Sequence, residues 1–163
     1  MVLAKTWRMK KTLLPGPPTK DNFELTSEEL GQPKEGEIIT KALFISVDPY
    51  LRGPMSRLPI GSPIPAGQVA EVIASEDTDF PVGCMVLGLG GWSNYNKFNP
   101  KKDSLVTSKE GLKQGVKRTV DIGSLSPSLL LGVCGMPGVT AYWGVLDMCK
   151  VYALKYIVFP KCN

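Results

Sequence analysis

Apolar and polar positions alternate along this chain in short runs, and only near its end does the period lengthen. Four segments read as strands: "KTWRMKKTL", "GEIITKALFISVD", "AGQVAEVIAS" and "GCMVLGL". Each is rich in β-branched or large apolar side chains and is bounded by Pro, Gly or acidic turn residues. In the second, Ile39, Leu43, Ile45 and Val47 share one face while Ile38, Ala42 and Phe44 share the other. Two apolar faces predict a central strand, covered at least in part on both sides. The third sets Val69, Glu71 and Ile73 against Gln68, Ala70, Val72 and Ala74, with Glu71 where one face meets water.

After Pro137 the pattern changes. Val139, Tyr142, Trp143 and Leu146 fall at i, i+3, i+4 and i+7, the stripe of an amphipathic helix. Pro137 suits the first turn, where its missing N–H removes no helical bond. Gly144 in mid-helix costs about 1 kcal/mol against alanine, which predicts a close neighbour there. The closing "YIVF" returns to strand-like composition.

Composition narrows the class. A chain of 163 residues that is 43% hydrophobic and 21% charged has the make-up of one soluble globular domain. Seventeen glycines and fourteen prolines would break a helical bundle of this size. The expected fold is therefore mainly β: a partly open β-barrel, its strands joined by turns such as "LPGPPT" and "GSPIPAG", with few helices.

Charge and cysteine usage mostly exclude. The net charge of +4 is concentrated between Lys97 and Arg118, where six lysines and one arginine accompany only Asp103 and Glu110. With no aromatic beyond Phe98 to stack a base, the run reads as a solvated loop and not as a nucleic-acid surface. Cys84, Cys134, Cys149 and Cys162 have no paired spacing and the chain has no histidine, so no metal site is expected. The amino terminus lacks an apolar run long enough for a signal peptide, which points to a cytoplasmic protein with reduced thiols. From Ile122 to Leu146 no side chain is charged, but Pro127, Pro137 and four glycines argue against a membrane helix.

Three motifs are dense enough to carry chemistry. "GLGGWS" at Gly88–Ser93 has two glycines of a dinucleotide fingerprint, but Ser93 stands in place of the third and no helical pattern follows. It reads as a strand-to-loop turn. "GVCGMPG" at Gly132–Gly138 precedes a helix, yet its glycines are spaced three and three, and Pro137 removes a donor that a phosphate would use. "VDPYLRG" at Val47–Gly53 has two readings. It is a turn in which Pro49 fixes φ and Asp48 bonds nearby backbone donors, or a turn that presents Tyr50 and Arg52 to a pocket at a sheet end.

Taken together, "ALFISVDPYLR", "GQVAEVI", "GWS" and "GMPGVTAYWGVLD" resemble the zinc-free medium-chain dehydrogenase/reductase superfamily. The likeness is to its leukotriene hydroxydehydrogenase / prostaglandin reductase branch, the NADPH-dependent alkenal and enone reductases. It runs in family order from Lys5 to about Lys150 and is loose only over Asn94–Leu125. Where zinc-dependent members place a His-Glu pair after the glycine matching Gly67, this chain has Gln68 and Val69.

The resemblance implies a GroES-like barrel at residues 1–125, an interdomain segment and helix at 126–150, and a non-family tail at 151–163. It implies NADPH as cofactor and reduction of the C=C bond of α,β-unsaturated carbonyls, enones or oxo-eicosanoids such as 15-oxoprostaglandins. By position, Tyr50 and Arg52 match the substrate-side turn, with Tyr50 the candidate donor to the enolate oxygen. Met136 and Thr140 match positions against the nicotinamide end of the cofactor.

The family continues with a strand and a glycine-rich turn of a Rossmann fold, whereas "VYALKYIVFPKCN" has no glycine and matches neither. The expectation is one wall of a cofactor cleft, without the Rossmann domain. Such a fragment would be inactive alone and would leave apolar surface around Trp143 and Leu146 uncovered. The alternative reading is a non-catalytic module that pairs with itself, as a homodimer, or with a full-length relative.

Overall fold

A computed structural model describes residues 1–13, 15–88, 90–103, 116–119 and 121–151. Among the described residues seven strands and two short α-helices follow one another. The strands are β1 (Val2–Met9), β2 (Phe23–Leu30), β3 (Ile38–Ile45), β4 (Gln68–Ser75), β5 (Met85–Gly88), β6 (Tyr95–Phe98) and β7 (Lys117–Arg118). The helices are α1 (Arg52–Met55) and α2 (Met136–Tyr142). The fold is mainly β, a partly open GroES-like barrel with a helix at its C-terminal side, as the sequence led us to expect.

One antiparallel sheet has the order β6-β3-β4-β5-β7, and β1 pairs with β2 in a second. The two sheets are stitched where β1 meets the segments around Ile64 and Trp92. Trp7 N–H donates to Trp92 O (2.9 Å), Ile64 N–H to Trp7 O (3.2 Å) and Met9 N–H to Ser62 O (2.9 Å). The Thr6 and Ser93 hydroxyls bond to each other at 2.9 Å. These cross-links curl the sheet toward closure and leave the remaining rim open.

The strand β3 is central, as its pattern predicts, because its two faces feed two different cores. Ile38 packs with Ala70, Val72, Phe80, Val86 and Phe98, while Ile39 packs with Ala4 and Leu30. This holds only for the first half of the strand. Register shifts between Ile39 and Thr40 and between Ala42 and Phe44 turn the strand, and Leu43, Phe44, Ile45 and Val47 are exposed. In β4 the expected alternation holds only in part: Gln68, Val69 and Ala70 are buried in succession, both faces being covered there, and beyond them Val72 is buried while Glu71 is partly open to water.

Several elements depart from the sequence reading. β1 starts three residues earlier than expected and ends at Met9, because Lys10 and Lys11 turn to donate to Asn22 O. β2 was not expected: "FELTSEEL" carries mainly polar and acidic side chains, and it forms a strand by pairing with β1 from Phe23 to Leu30. β6 and β7 are short strands held by β3 and β5.

The helix after Pro137 is α-helical only to Tyr142 and continues as π-helix over Trp143–Met148, where Cys149 N–H donates to Gly144 O at 2.9 Å. A Cβ on Gly144 would meet nothing within 4 Å, so the expected close neighbour is absent, and the glycine lies in this widened turn. The expected "YIVF" strand, Cys162 and residues 104–115 of the basic run lie outside the described residues. Among the described residues no helix is long and apolar enough to cross a membrane.

Candidate active site

The "VDPYLRG" segment begins where β3 has just lost its core contacts. Asp48 is extended, Pro49 opens a 3-10 turn (Pro49–Leu51), and Leu51 N–H donates to Asp48 O at 3.1 Å. The Asp48 side chain caps nothing, so the turn is closed by the backbone and by the fixed φ of Pro49 and not by the carboxylate. What anchors it is apolar. Leu51 and Met55 drop into a cluster with Met9, Leu13, Ile64 and Ala66, which fixes the one-turn helix α1 between them. Tyr50, one residue before this anchor, is 62% exposed, and Arg52, one residue after it, is half-buried. Partial burial and then the Asp48 carboxylate push the Tyr50 phenol above its ordinary value, so it is a protonated donor at neutral pH.

A second set of contacts holds the base of this turn, and sequence reasoning missed it. Ser46 N–H donates to Gly67 O (2.8 Å), Gly67 N–H donates to Ser46 Oγ (3.0 Å), and the Trp92 indole donates to Ser46 O (3.3 Å). A Cβ on Gly67 would lie 3.1 Å from Ser46 Oγ and 3.2 Å from a Leu131 methyl, so the glycine admits both neighbours. The 3-10 turn Pro127–Leu131, which leads into α2, therefore rests on the same end of β3 and β4 that launches Tyr50. The one sequence feature at this place is Gly67 directly before β4, and its contacts with Ser46 and Leu131 arise only in the fold.

Next to Gly67, Gln68 is 2% exposed and its amide is fully engaged. It donates to Gly91 O and to Ser93 O (2.8 Å), and accepts from Asn96 Nδ2 (3.1 Å). Where zinc-dependent relatives of the resemblance carry histidine, this side chain ties the "GLGGWS" turn to the sheet. A Cβ on Gly90 would collide with the Gln68 side chain, and one on Gly91 with Ile64 O, which explains both glycines as close approaches in a strand-to-loop turn. Among the described residues no three His, Cys, Asp or Glu side chains form a metal cage.

Met136 and Thr140 lie on α2. Met136 is 65% exposed, and Thr140 is exposed with its hydroxyl donating to Met136 O at 2.9 Å. The glycines before them serve the chain itself: a Cβ on Gly135 would strike Leu130 O, and one on Gly138 would strike Val133 O. Gly135 and Gly138 N–H both donate to Gly132 O, at 2.9 and 3.1 Å, and Pro137 has no N–H. The Gly135 and Gly138 amides, which could have faced a diphosphate, are engaged inside the loop. The described residues thus offer an apolar and hydroxyl surface on α2 but no cradle for the phosphates, and do not fit a whole dinucleotide.

Residues 5–106 match the family described as the N-terminal domain of oxidoreductase. The chain belongs to that family. Prostaglandin reductase 1 of Rattus norvegicus is 41% identical over 149 residues, which covers 91% of this chain and 42% of the relative. The NADPH-dependent curcumin reductase of Escherichia coli is 35% identical over 142 residues, covering 82% of this chain and 36% of the relative. Among solved structures, CurA from Vibrio vulnificus in complex with NADPH superposes with a TM-score of 0.71 at 31% identity, covering 88% of this chain and 40% of that one. The resemblance to zinc-free medium-chain reductases of the prostaglandin reductase branch is therefore borne out. The chain spans about two fifths of the length of the curated relatives it matches.

Proposed function

We propose that this oxidoreductase domain forms the substrate-facing wall of an NADPH-dependent reductase acting on the C=C bond of α,β-unsaturated carbonyls, with 2-alkenals and 15-oxoprostaglandins as the substrate class. In this reading residues 1–125 are the substrate-side domain, 126–150 carry the chain toward the cofactor side, and the site residues are Tyr50, Arg52, Met136 and Thr140. The observation that carries it is the placement of Tyr50: a protonated phenol on a turn locked from below by Leu51 and Met55, open above, at the sheet end from which the α2 segment also departs. Such a donor is suited to hydrogen-bond the carbonyl oxygen of an enone as negative charge collects there. The Arg52 guanidinium, held half-buried one residue beyond Leu51, supplies a fixed positive charge on the same turn.

The described residues do not hold the phosphates of a dinucleotide, so the domain by itself is not expected to retain NADPH. Two measurements test these statements. The isolated chain, mixed with NADPH and a 15-oxoprostaglandin, should leave the reduced-nicotinamide absorbance unchanged, and steady oxidation would contradict the incomplete cleft. Replacing the matching part of rat prostaglandin reductase 1 by residues 5–150 should give a protein that reduces enones, and Tyr50→Phe in it should lower kcat by about 100-fold. A folded, NADPH-binding chimera with no reductase activity, or a Tyr50→Phe variant at full rate, would overturn the assignment.

A further inference from the structure

One side chain from a distant part of the chain holds the Tyr50 turn on both sides of the phenol. Trp92 lies in the "GLGGWS" turn between β5 and β6, and its indole N–H donates to Ser46 O at 3.3 Å, the first carbonyl after β3. The ring of the same residue packs against the cluster that takes in Leu51 and Met55, beyond Tyr50. Trp92 is itself firmly seated. Its N–H donates to Ile64 O (3.0 Å), its carbonyl accepts from Trp7 N–H (2.9 Å), and its ring meets that of Phe23 with centroids 5.8 Å apart. Trp7 is on β1 and Phe23 on β2, so the indole bears on the two-stranded sheet. The other support of Ser46, its paired bonds with Gly67, comes from the residue before β4 in the five-stranded sheet.

An indole seated among apolar neighbours needs some acceptor for its N–H. That the acceptor here is the carbonyl opening the Tyr50 turn makes the bond a constraint on that turn. Supports from two different sheets fix a point that either alone would leave free to swing. We propose that Trp92 is a positioning residue for the reductase chemistry: its bond to Ser46 and its ring against the cluster of Leu51 and Met55 together set where the Tyr50 hydroxyl stands. The inference rests on the reading of Tyr50 as the donor to the enone oxygen, and Trp92 acts through Tyr50 and not on the substrate. A donor displaced by about 1 Å stabilises the developing charge far less, while the binding of NADPH through its other contacts is untouched. The effect therefore falls on kcat and not on the KM for NADPH.

Hydrogen exchange of the whole chain reads the constraint directly. Trp92→Phe keeps an aromatic ring and removes the donor. It should speed exchange of the Leu51 amide, which closes the turn on Asp48 O, by about 10-fold, and leave the Val72 amide on Cys84 O unchanged. Equal acceleration at both amides, or none at Leu51, would overturn the proposal. In the chimera with rat prostaglandin reductase 1, Trp92→Phe should lower kcat for a 2-alkenal by about 10-fold at unchanged KM for NADPH. With Tyr50→Phe already in place, it should cost less than about twofold more. A loss of the same size in both backgrounds would mark a purely structural role and overturn the proposal. Benzothienylalanine in place of Trp92 keeps the shape of the indole without its N–H, and should reproduce the loss even where Trp92→Phe fails to fold. Full kcat with that isostere, while Tyr50→Phe slows the reaction, would overturn the positioning role alone. Tyr50→Phe at full rate would overturn the enone reading and this inference with it.

Discussion

The sheet around β3 and β4 and the helical segment after Gly135 are comparably apolar, yet they have opposite fates. Ile38, Val69 and Val72 are wholly buried, whereas Val139, Trp143 and Leu146 face solvent. The difference is one of neighbours. A strand with strands on both sides and cores on both faces has its apolar surface covered by the same chain. A lone helical segment can bury its stripe only against a layer that faces it, and the described residues supply none. Apolar patterning states that a surface must be covered, and not by what.

This contrast can be attacked first in the sheet. Ile38→Ala empties the centre of a buried cluster and should cost about 2–4 kcal/mol in urea unfolding. A loss below 1 kcal/mol would mean that the core around β3 is not the stable half of the molecule. Next comes the polar tie. Gln68→Leu leaves the Gly91 and Ser93 carbonyls without their amide donor and should cost about 2 kcal/mol, loosening the turn that carries Trp92. Quenching of tryptophan fluorescence by iodide would report that loosening.

A smaller effect belongs to the edge of the sheet. Lys101 Nζ bridges Asp77 Oδ1 (3.2 Å) and Asp79 Oδ2 (2.7 Å), clasping the loop after β6 to the turn after β4. The Asp79 N–H bond, helped by Lys101, holds the Asp77 carboxyl below its ordinary value of 3.8. A carboxyl lowered on folding contributes stability that is present above the unfolded value and is lost as pH falls through the folded one. The contribution should therefore vanish only below about pH 4. Asp77→Asn should flatten that acid limb in a pH series of denaturant midpoints while leaving the neutral-to-alkaline limb alone.

Smallest of all should be Leu146→Ser. At concentrations where the chain is monomeric it should change stability by no more than about 0.5 kcal/mol, because the side chain has little burial to lose. A large loss would show that the helical segment is packed against its own chain, and would remove the contrast with β3.

Much of the architecture was legible from particular residues. The two-faced apolar run Ile38–Ile45 marked a central strand, the alternation from Gln68 to Ala74 marked its partner, and Pro137 followed by Val139 and Tyr142 marked the helix. "FELTSEEL" was not legible as a strand because its pairing with β1, and not its own side chains, makes it one. At the candidate site, "VDPYLRG" pointed to Tyr50 and Arg52. The clamp of Ser46, Gly67 and Trp92 was hidden, since it joins positions distant in sequence through backbone groups that every residue possesses.

The sequence by itself determined the β-rich class, the lack of histidine, a polar Gln68 at the head of an apolar strand, and the periodicities of two strands and one helix. These are local properties, set by side-chain chemistry and by the repeat of the backbone. Tertiary structure decided which half of β3 is buried, what Gln68 holds, why Gly135 and Gly138 turn their amides away from any phosphate, and that the stripe through Trp143 faces outward. Each of these depends on the distance between segments far apart in the chain, which only the closure of the two sheets and the placement of α2 can fix.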